Sequence, residues 1–212
     1  MSTAPKVHDG LVNGLLRRAS EDCPFHHYAG RLADLLECAD WGPVAALADE
    51  LLDCWRTGRQ VFLAGNGGSA ANAIHLANDY VYAASRRRGS GLRVESLAAN
   101  SAVLTCLAND EGYDEVFSLQ LAVKANADDV LVVFSGSGNS PNVLKALEEA
   151  RRIGMRSYAV LGYSGGKAKS LADVPIHFDI DDMQIAEDMQ LIVGHMIMQY
   201  LHVRRDSISL AP

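Results

Sequence analysis

Short apolar runs alternate with helical segments from residue 60 onwards, and this order constrains the fold more than any other feature of the sequence. Each run is too short for a helix, whereas the segments between most of them have apolar residues at helical spacing. The alternation predicts a parallel sheet covered by helices on both faces, a three-layer α/β sandwich. The predicted strands are QVFLA, RVESL, DVLVVF, RSYAVLG and VPIHF, and the main predicted helices cover residues 43–57 or begin near Ser69, Ser101, Ser140 and Asp182.

Composition and charge narrow the class of protein. The 212 residues carry a formal net charge of -7, so there is no global basic surface to attract nucleic acid. The four cysteines show no CxxC spacing, the N-terminus lacks a secretory signal pattern, and no apolar run reaches the roughly 18 residues of a membrane span. We therefore expect a cytoplasmic protein with reduced thiols that binds neither nucleic acid nor membrane. Arg86, Arg87 and Arg88 are a local exception, compatible with a solvated loop or with a position near an anionic ligand at a subunit boundary.

Two loops rich in glycine, serine and asparagine follow predicted strands, GNGGS at residues 65–69 and SGSGNS at residues 135–140. In a parallel sheet both lie at the carboxyl edge, where ligands bind, and each leads into a helix whose free N–H groups favour an anion. The chain has no GxxxxGK[ST] motif and GNGGSAANA does not match GxGxxG, so neither a triphosphate nor a dinucleotide is indicated. The hydroxyls and the Asn139 amide of the second loop favour a phosphomonoester over the alternative of simple capped turns.

Two pairs of ionisable residues lie at helical spacing. His75 and Asp79 are four residues apart after the first loop, and Glu187 and His195 are eight apart in the C-terminal helix, so each pair lies close to one helix face. If they converge, they are compatible with a divalent metal that has an open position, or with an acid and a base for proton transfer. The alternatives are surface positions for His75 and Asp79, and a buried, hydrogen-bonded His195 within LIVGHMIM.

Four ordered motifs between about residues 40 and 203 resemble the sedoheptulose 7-phosphate isomerase (phosphoheptose isomerase) branch of the sugar isomerase (SIS) domain superfamily. The motifs are GNGGSAANAIHLANDY, LTCLANDEGYDEVF, SGSGNSPNVLKALEEARRIGM and AEDMQLIVGHMIM. The resemblance implies a flavodoxin-like parallel sheet, a homotetramer with active sites between subunits, and a zinc ion (Zn2+) in each subunit. It implies an aldose-ketose isomerase that converts sedoheptulose 7-phosphate to D-glycero-D-manno-heptose 7-phosphate.

The loops and the resemblance together assign residues to roles. The first loop would contact the substrate, the ANDEGY motif the sugar hydroxyls, and the second loop the phosphate. We expect Asp79 or Glu187 to act as the base and His195 as the acid of an enediol mechanism. The assigned substrate-binding residues are Asn66, Gly67, Gly68, Ser69, Asn109, Asp110, Ser135, Gly136, Ser137, Asn139, Ser140 and Glu187, and the implied metal ligands are His75, Asp79, Glu187 and His195.

Four positions depart from the pattern of the family. Asp79 stands where glutamate is usual, Glu187 where glutamine is usual, Gln184 where aspartate is usual, and Ala83 near the place of an arginine. Two histidines and two carboxylates still suit zinc, but a related substrate such as an octulose 8-phosphate stays open. The other alternative is a non-catalytic SIS scaffold that binds the DnaA initiator, which would need neither histidine.

The chain shows no internal repeat and no low-complexity linker, so we expect a single domain to carry the functional residues. We expect an N-terminal helical extension over residues 1–40 that contributes to the oligomer. A SIS domain over residues 41–205 and a tail over residues 206–212 would follow it.

Overall fold

The computed structural model describes residues 23–85 and 90–207. The chain divides into two compact units, one ending at Ala39 and one beginning at Asp40. Within the described residues the first unit contributes helix α1 (Pro24–Cys38), which has proline in its first turn. Residues 1–22 of the predicted extension, the arginines at 86–88 and most of the predicted tail lie outside the described residues. The role of the extension in an oligomer stays a prediction.

Parallel strands form one sheet in the second unit. They are β1 (Val61–Gly65), β2 (Val94–Ser96), β3 (Val130–Ser135), β4 (Arg156–Leu161) and β5 (Val174–His177). Their order across the sheet is β2-β1-β3-β4-β5, the flavodoxin-like order, and every neighbouring pair is parallel. All residues of β1 and β3 are buried, as strands covered on both faces require. The predicted α/β sandwich is confirmed.

Helices cover both faces of this sheet. One layer contains α2 (Gly42–Thr57), α3 (Gly68–Asn78) and α8 (Met183–Arg204), and the other contains α4 (Ser101–Asp110), α5 (Ser118–Lys124), α6 (Pro141–Ile153) and α7 (Ala168–Leu171). Phe62, Leu131 and Val133 of the sheet pack into a core with the second layer. In the first layer, α8 packs against both α2 and α3. A π-helical turn (Asp79–Ala83) continues α3, and 3-10 turns cover Tyr113–Glu115 and Arg205–Ser207.

Two helices begin just after neighbouring strands. α3 begins at Gly68 soon after β1, and α6 begins at Pro141 soon after β3. Because β1 and β3 are adjacent and parallel, the N-termini of both helices lie at the same edge of the sheet. The two glycine-rich loops therefore meet at the carboxyl edge, as the sequence predicts.

The remaining expectations about the chain's class concern thiols and membranes. Cys23, Cys38, Cys54 and Cys106 are free thiols, as predicted. Burial raises the pKa of the Cys54 thiol to about 12, so this residue behaves as an inert part of the core. Within the described residues, no helix is both long enough and apolar enough to span a membrane.

Candidate active site

The two glycine-rich loops line a cleft of about 260 Å³ at the carboxyl edge of the sheet. The structure therefore brings together most of the residues predicted to bind substrate. Phe134 and Met183, which the sequence analysis did not indicate, also line the cleft. The lining residues are Asn66, Gly67, Gly68, Ser69, Phe134, Ser135, Gly136, Ser137, Ser140, Met183 and Glu187.

The serine hydroxyls of the second loop keep their protons available to a ligand. Ser135 Oγ accepts a hydrogen bond from Gly138 N at 3.0 Å, and Ser137 Oγ accepts one from Asn139 N at 3.3 Å. Ser140 occupies the N-cap position of α6 without a side-chain cap bond. Within the described part of the chain none of these hydroxyls donates a hydrogen bond. Capping alone does not explain them, whereas three O–H donors beside a helix N-terminus suit a phosphate.

Asn139 belongs to the same loop but does not line the cleft. Its Nδ2 donates to Ser137 O at 3.1 Å, and its Oδ1 accepts from Lys167 N at 3.1 Å. A main-chain bond from Gly162 N to Gly136 O, 3.0 Å long, joins the same two loops. The Asn139 amide thus ties the phosphate loop to the loop after β4, and its contact with substrate stays a prediction.

The side chain of Asn66 is held by two residues that the sequence analysis did not single out. Asn66 and Asn142 exchange a reciprocal pair of Nδ2-to-Oδ1 hydrogen bonds, both 2.8 Å long. The Tyr113 hydroxyl donates to Asn66 Oδ1 at 3.1 Å. Asn142 is buried in the first turn of α6 and Tyr113 lies in a 3-10 turn, so both contacts join segments distant in sequence. No short-range pattern could have indicated them.

His75, Asp79 and His195 form one cluster. The two Nε2 atoms lie 2.9 Å apart, and Asp79 Oδ2 lies 3.6 Å from each of them. The two rings meet edge to face with centroids 5.2 Å apart. The alternative of a fully buried His195 does not hold, because its side chain is 42% exposed. Gly194 and Ile197 near it are buried, so they lie on the packed side of α8.

The close approach of α3 and α8 builds this cluster. A Cβ at Gly194 would overlap the side chain of Leu76, so glycine lets the two helices meet at this level. The hydroxyl of the buried Tyr80 donates to Gly194 O at 3.0 Å. Burial raises the pKa of that hydroxyl, which keeps it protonated as a donor. Gly194, Leu76 and Tyr80 are each next in sequence to a member of the cluster. The packing among them therefore fixes how the ionisable groups face each other.

Glu187 lies in the cleft rather than in the cluster. Its carboxylate is so close to Gly68 that an added Cβ there would overlap both of its oxygens. His75, Asp79 and His195 each offer one possible ligand atom, and these three atoms lie within 4.8 Å of one another. Among the described residues, Glu187 does not join this group. The structure thus brings together three of the four predicted metal ligands, and the metal-binding role of Glu187 stays a prediction.

Asn109 and Asp110 lie at the end of α4, outside the cleft lining. Asn109 Nδ2 donates to Asp110 Oδ1 at 2.7 Å, and Cys106 Sγ donates weakly to Asp110 Oδ2 at 3.5 Å. Both predicted residues are exposed. Their contacts with sugar hydroxyls stay predictions.

The cluster fits a tetrahedral metal ion. Ligand atoms about 2.0–2.1 Å from a zinc ion lie roughly 3.4 Å from one another along the edges of a tetrahedron. The three observed separations, 2.9, 3.6 and 3.6 Å, lie on either side of that value. Two imidazoles and one carboxylate are a ligand set that zinc accepts, and three protein ligands leave a fourth position open.

The fold and the site define a SIS-domain protein, and the model of the SIS domain family matches residues 25–162. Among curated proteins, the phosphoheptose isomerase of Chlorobaculum parvum is 38% identical over 177 residues, which cover 81% of this chain and 83% of that protein. The chain therefore belongs to the phosphoheptose isomerase family.

Solved structures of two relatives agree with this assignment. A phosphoheptose isomerase from Francisella tularensis superposes with a TM-score of 0.79 at 25% identity, over 84% of this chain and 94% of that one. The phosphoheptose isomerase GmhA from Neisseria gonorrhoeae gives a TM-score of 0.76 at 29% identity, over 84% and 96%. The resemblance seen in the four motifs is confirmed for family and fold.

Proposed function

We propose that the chain interconverts a ketose phosphate and an aldose phosphate, with sedoheptulose 7-phosphate and D-glycero-D-manno-heptose 7-phosphate as the pair. The observation that carries the proposal is that α3 and α8 each connect the cleft to the ionisable cluster. At 1.5 Å per residue, Gly68 and His75 lie about 10 Å apart along α3, and Glu187 and His195 about 12 Å apart along α8. A phosphate held in the cleft would leave the far end of a long, extended sugar near the cluster.

In this proposal the second loop anchors the phosphate. The hydroxyls of Ser135, Ser137 and Ser140 donate to its oxygens, and the N-terminus of α6 favours its charge. Residues 66–68 contact the rest of the sugar phosphate. Binding energy from the remote phosphate then orients the reacting carbons.

The ionisable residues supply the proton transfers. Converting the ketose to the aldose removes a proton from C1 and places one on the C2 oxygen, giving an enediol. The C1 hydroxyl then loses its proton and C2 gains one. Asp79 beside the two imidazoles, or Glu187 in the cleft, takes the carbon-bound proton, and His195 exchanges protons with the oxygens.

We also propose that His75, Asp79 and His195 hold one zinc ion per subunit. Their separations and their chemistry support this ligand set. When bound, the ion polarises the carbonyl and stabilises negative charge on the enediol oxygens. Glu187 can complete the predicted set of four only if its carboxylate leaves Gly68.

A cytoplasmic homotetramer with active sites between subunits is the assembly that we propose. Apolar side chains near the cluster are exposed, namely Ile74 at 43%, Val81 at 50%, Tyr82 at 64% and Met196 at 45%. Exposed apolar groups around a polar site are typical of a surface that another subunit covers. Such packing would also give Asn109 and Asp110 a route to the site of a neighbouring subunit. Light scattering on the purified protein measures the subunit number directly.

An eight-carbon ketose phosphate is the second candidate substrate. Asp79 is one methylene shorter than the glutamate usual in the family, which leaves more space beside His75 and His195. The scaffold alternative, binding to DnaA, is less well supported because the histidines and a carboxylate are assembled into a compact cluster.

A side-by-side assay in D2O tests these proposals. The purified enzyme is given sedoheptulose 7-phosphate or octulose 8-phosphate, before and after chelation and after zinc is restored. We expect the seven-carbon aldose phosphate with deuterium at C2, and activity that follows zinc. Turnover of the eight-carbon sugar alone would reassign the substrate, and turnover of neither would reject the isomerase. Product formed without deuterium in product or recovered substrate would remove the enediol route.

A further inference from the structure

The amide of Asn66 belongs to a hydrogen-bond chain whose direction is fixed by the main chain. Val143 N donates to both Ser140 O and Asn142 Oδ1, each at 3.0 Å. A backbone N–H can only donate, so the atom of Asn142 that faces it must be the oxygen. This shared contact favours one orientation of the Asn142 amide, which would otherwise be ambiguous by a 180° flip, because a flipped NH2 group would face another donor.

The orientation of Asn142 determines that of Asn66. Two amides that exchange reciprocal hydrogen bonds could both be flipped and would still pair. Because Asn142 Oδ1 is fixed by Val143, its second donor must be Asn66 Nδ2, and Asn142 Nδ2 must donate to Asn66 Oδ1. The Tyr113 hydroxyl therefore meets an oxygen and must donate to it.

These orientations decide which hydrogen-bonding group of Asn66 is left for a ligand. Asn66 Oδ1 already accepts two hydrogen bonds, from Asn142 Nδ2 and from the Tyr113 hydroxyl. Its Nδ2 uses one N–H on Asn142, and within the described residues the second N–H has no protein acceptor. Asn66 lines the cleft, and the group that its amide has left for a ligand is a donor and not an acceptor.

We propose that Asn66 is a preset N–H donor to an acceptor oxygen of the sugar phosphate, and that Asn142 and Tyr113 are the residues that position it. This rests on the proposed function. A donor whose amide cannot flip loses less freedom on binding than a free side chain, and it rejects a ligand that presents a donor at the same point.

Tyr113 is itself held from a second side. Lys145 Nζ lies 2.6 Å from Asp114 Oδ2 and 2.5 Å from Glu115 Oε1, which ties the 3-10 turn to α6. Asn142 is on the same helix as Lys145. The hydroxyl and the amide that orient Asn66 therefore belong to one connected unit, although Tyr113 is 59% exposed.

Substitutions at Asn66 test whether its side chain donates a hydrogen bond to the ligand. The full-length enzyme is assayed for the KM of sedoheptulose 7-phosphate and the Ki of inorganic phosphate. We expect Asn66→Ala to raise the KM by about three- to tenfold, as for a lost hydrogen bond, and to leave the Ki of inorganic phosphate within about twofold, because the second loop holds the phosphate. Asn66→Asp should be worse than Asn66→Ala, because it places an acceptor where an acceptor of the ligand lies. Equal or better binding by the aspartate variant would overturn the proposal.

Substitutions at Asn142 and Tyr113 test the positioning roles. We expect Asn142→Ala to raise KM by about five- to tenfold with kcat within about threefold, and Tyr113→Phe to raise KM by up to about threefold. In the Asn66→Ala background neither change should raise KM further, although Asn142→Ala should still lower stability. The control is Asn100→Ala, which removes the cap bond to Val103 N at the start of α4 and changes no residue that lines the cleft.

The outcomes separate this proposal from the proposed function. A KM rise from Asn142→Ala that persists without the Asn66 side chain, or that Asn100→Ala reproduces, would overturn the positioning roles. If Asn142→Ala does not fold, the exposed Tyr113→Phe carries the same comparison. If the wild-type enzyme does not turn over the ketose phosphate, the proposed function fails. The Kd of sedoheptulose 7-phosphate, compared by calorimetry between the wild type and Asn66→Ala, then decides the role of Asn66 alone.

Discussion

Replacing Gly194 with alanine should destabilise the protein, although alanine is the better helix residue. In an open helical position this change would stabilise by up to about 1 kcal/mol. At Gly194 the new Cβ would overlap the Leu76 side chain, which is fully buried between α3 and α8. Overpacking of this kind costs about 1–3 kcal/mol. The clash should therefore outweigh the helix propensity and push apart the helices that hold His75 and His195.

Denaturant unfolding at one fixed protein concentration, followed by circular dichroism, measures this effect. Gly30→Ala is the matched control, because a Cβ there meets no atom of the described residues within 4 Å, and it should stabilise. Leu76→Ala alone should cost about 2–5 kcal/mol, and the double variant with Gly194→Ala should cost less than the sum by about 1 kcal/mol or more. Zinc affinity, read by competition with a chelator, should fall about tenfold in Gly194→Ala. If Gly194→Ala stabilised the protein as Gly30→Ala does, the close helix approach would be refuted.

Three further predictions concern catalysis. Removing metal with a chelator should lower turnover by about 100-fold or more, and zinc should restore it; full activity in protein shown by metal analysis to be metal-free would contradict the ligand set. Asp79→Asn and His195→Ala should each lower kcat by about 100-fold or more with little change in the unfolding midpoint. The control His26→Ala in α1 should leave kcat unchanged. A wild-type rate in either site variant would show that the replaced residue has no catalytic role. Asn139→Ala should raise KM by about five- to tenfold with kcat nearly unchanged, because the phosphate loop loses its hydrogen bond to the loop after β4. An equal effect from the control Asn126→Ala would show that the change in KM is not specific to this hydrogen bond.

The order of strands and helices was predictable because burial on both faces turns a strand into a continuous apolar run. β1 and β3 are entirely buried and show no alternation that could be mistaken for a half-exposed strand. Helix starts were visible where Pro141 and Asp182 stand, and Asp182 Oδ1 does accept a cap bond from Ile185 N at 3.1 Å. The short helix α5 and the π-helical turn after Asn78 were missed, since neither is long enough to show a period.

Contacts within the ionisable cluster were predictable from spacing only where the residues share one helix, whereas the two loops could be placed together because each follows a strand of one parallel sheet. His75 and Asp79 are one turn apart, and that spacing alone places an imidazole beside a carboxylate. Glu187 and His195 share a face of α8, but eight residues separate them by about 12 Å along the axis. The Glu187 carboxylate lies against Gly68 and not in the cluster, which spacing alone does not reveal. The partners of Asn66 come from other segments, and only the folded chain shows them.

Glu187 also bears on which loop anchors a phosphate. Its carboxylate lies against Gly68, the first residue of α3, where the free N–H groups and the helix dipole favour negative charge. A phosphate bound at that N-terminus would face this charge at short range. The first turn of α6 carries no acidic residue, and the Ser140 hydroxyl there is not used as a cap. Two helix N-termini face one cleft, and because the first is already next to a carboxylate of the protein, the phosphate is better accommodated at the second.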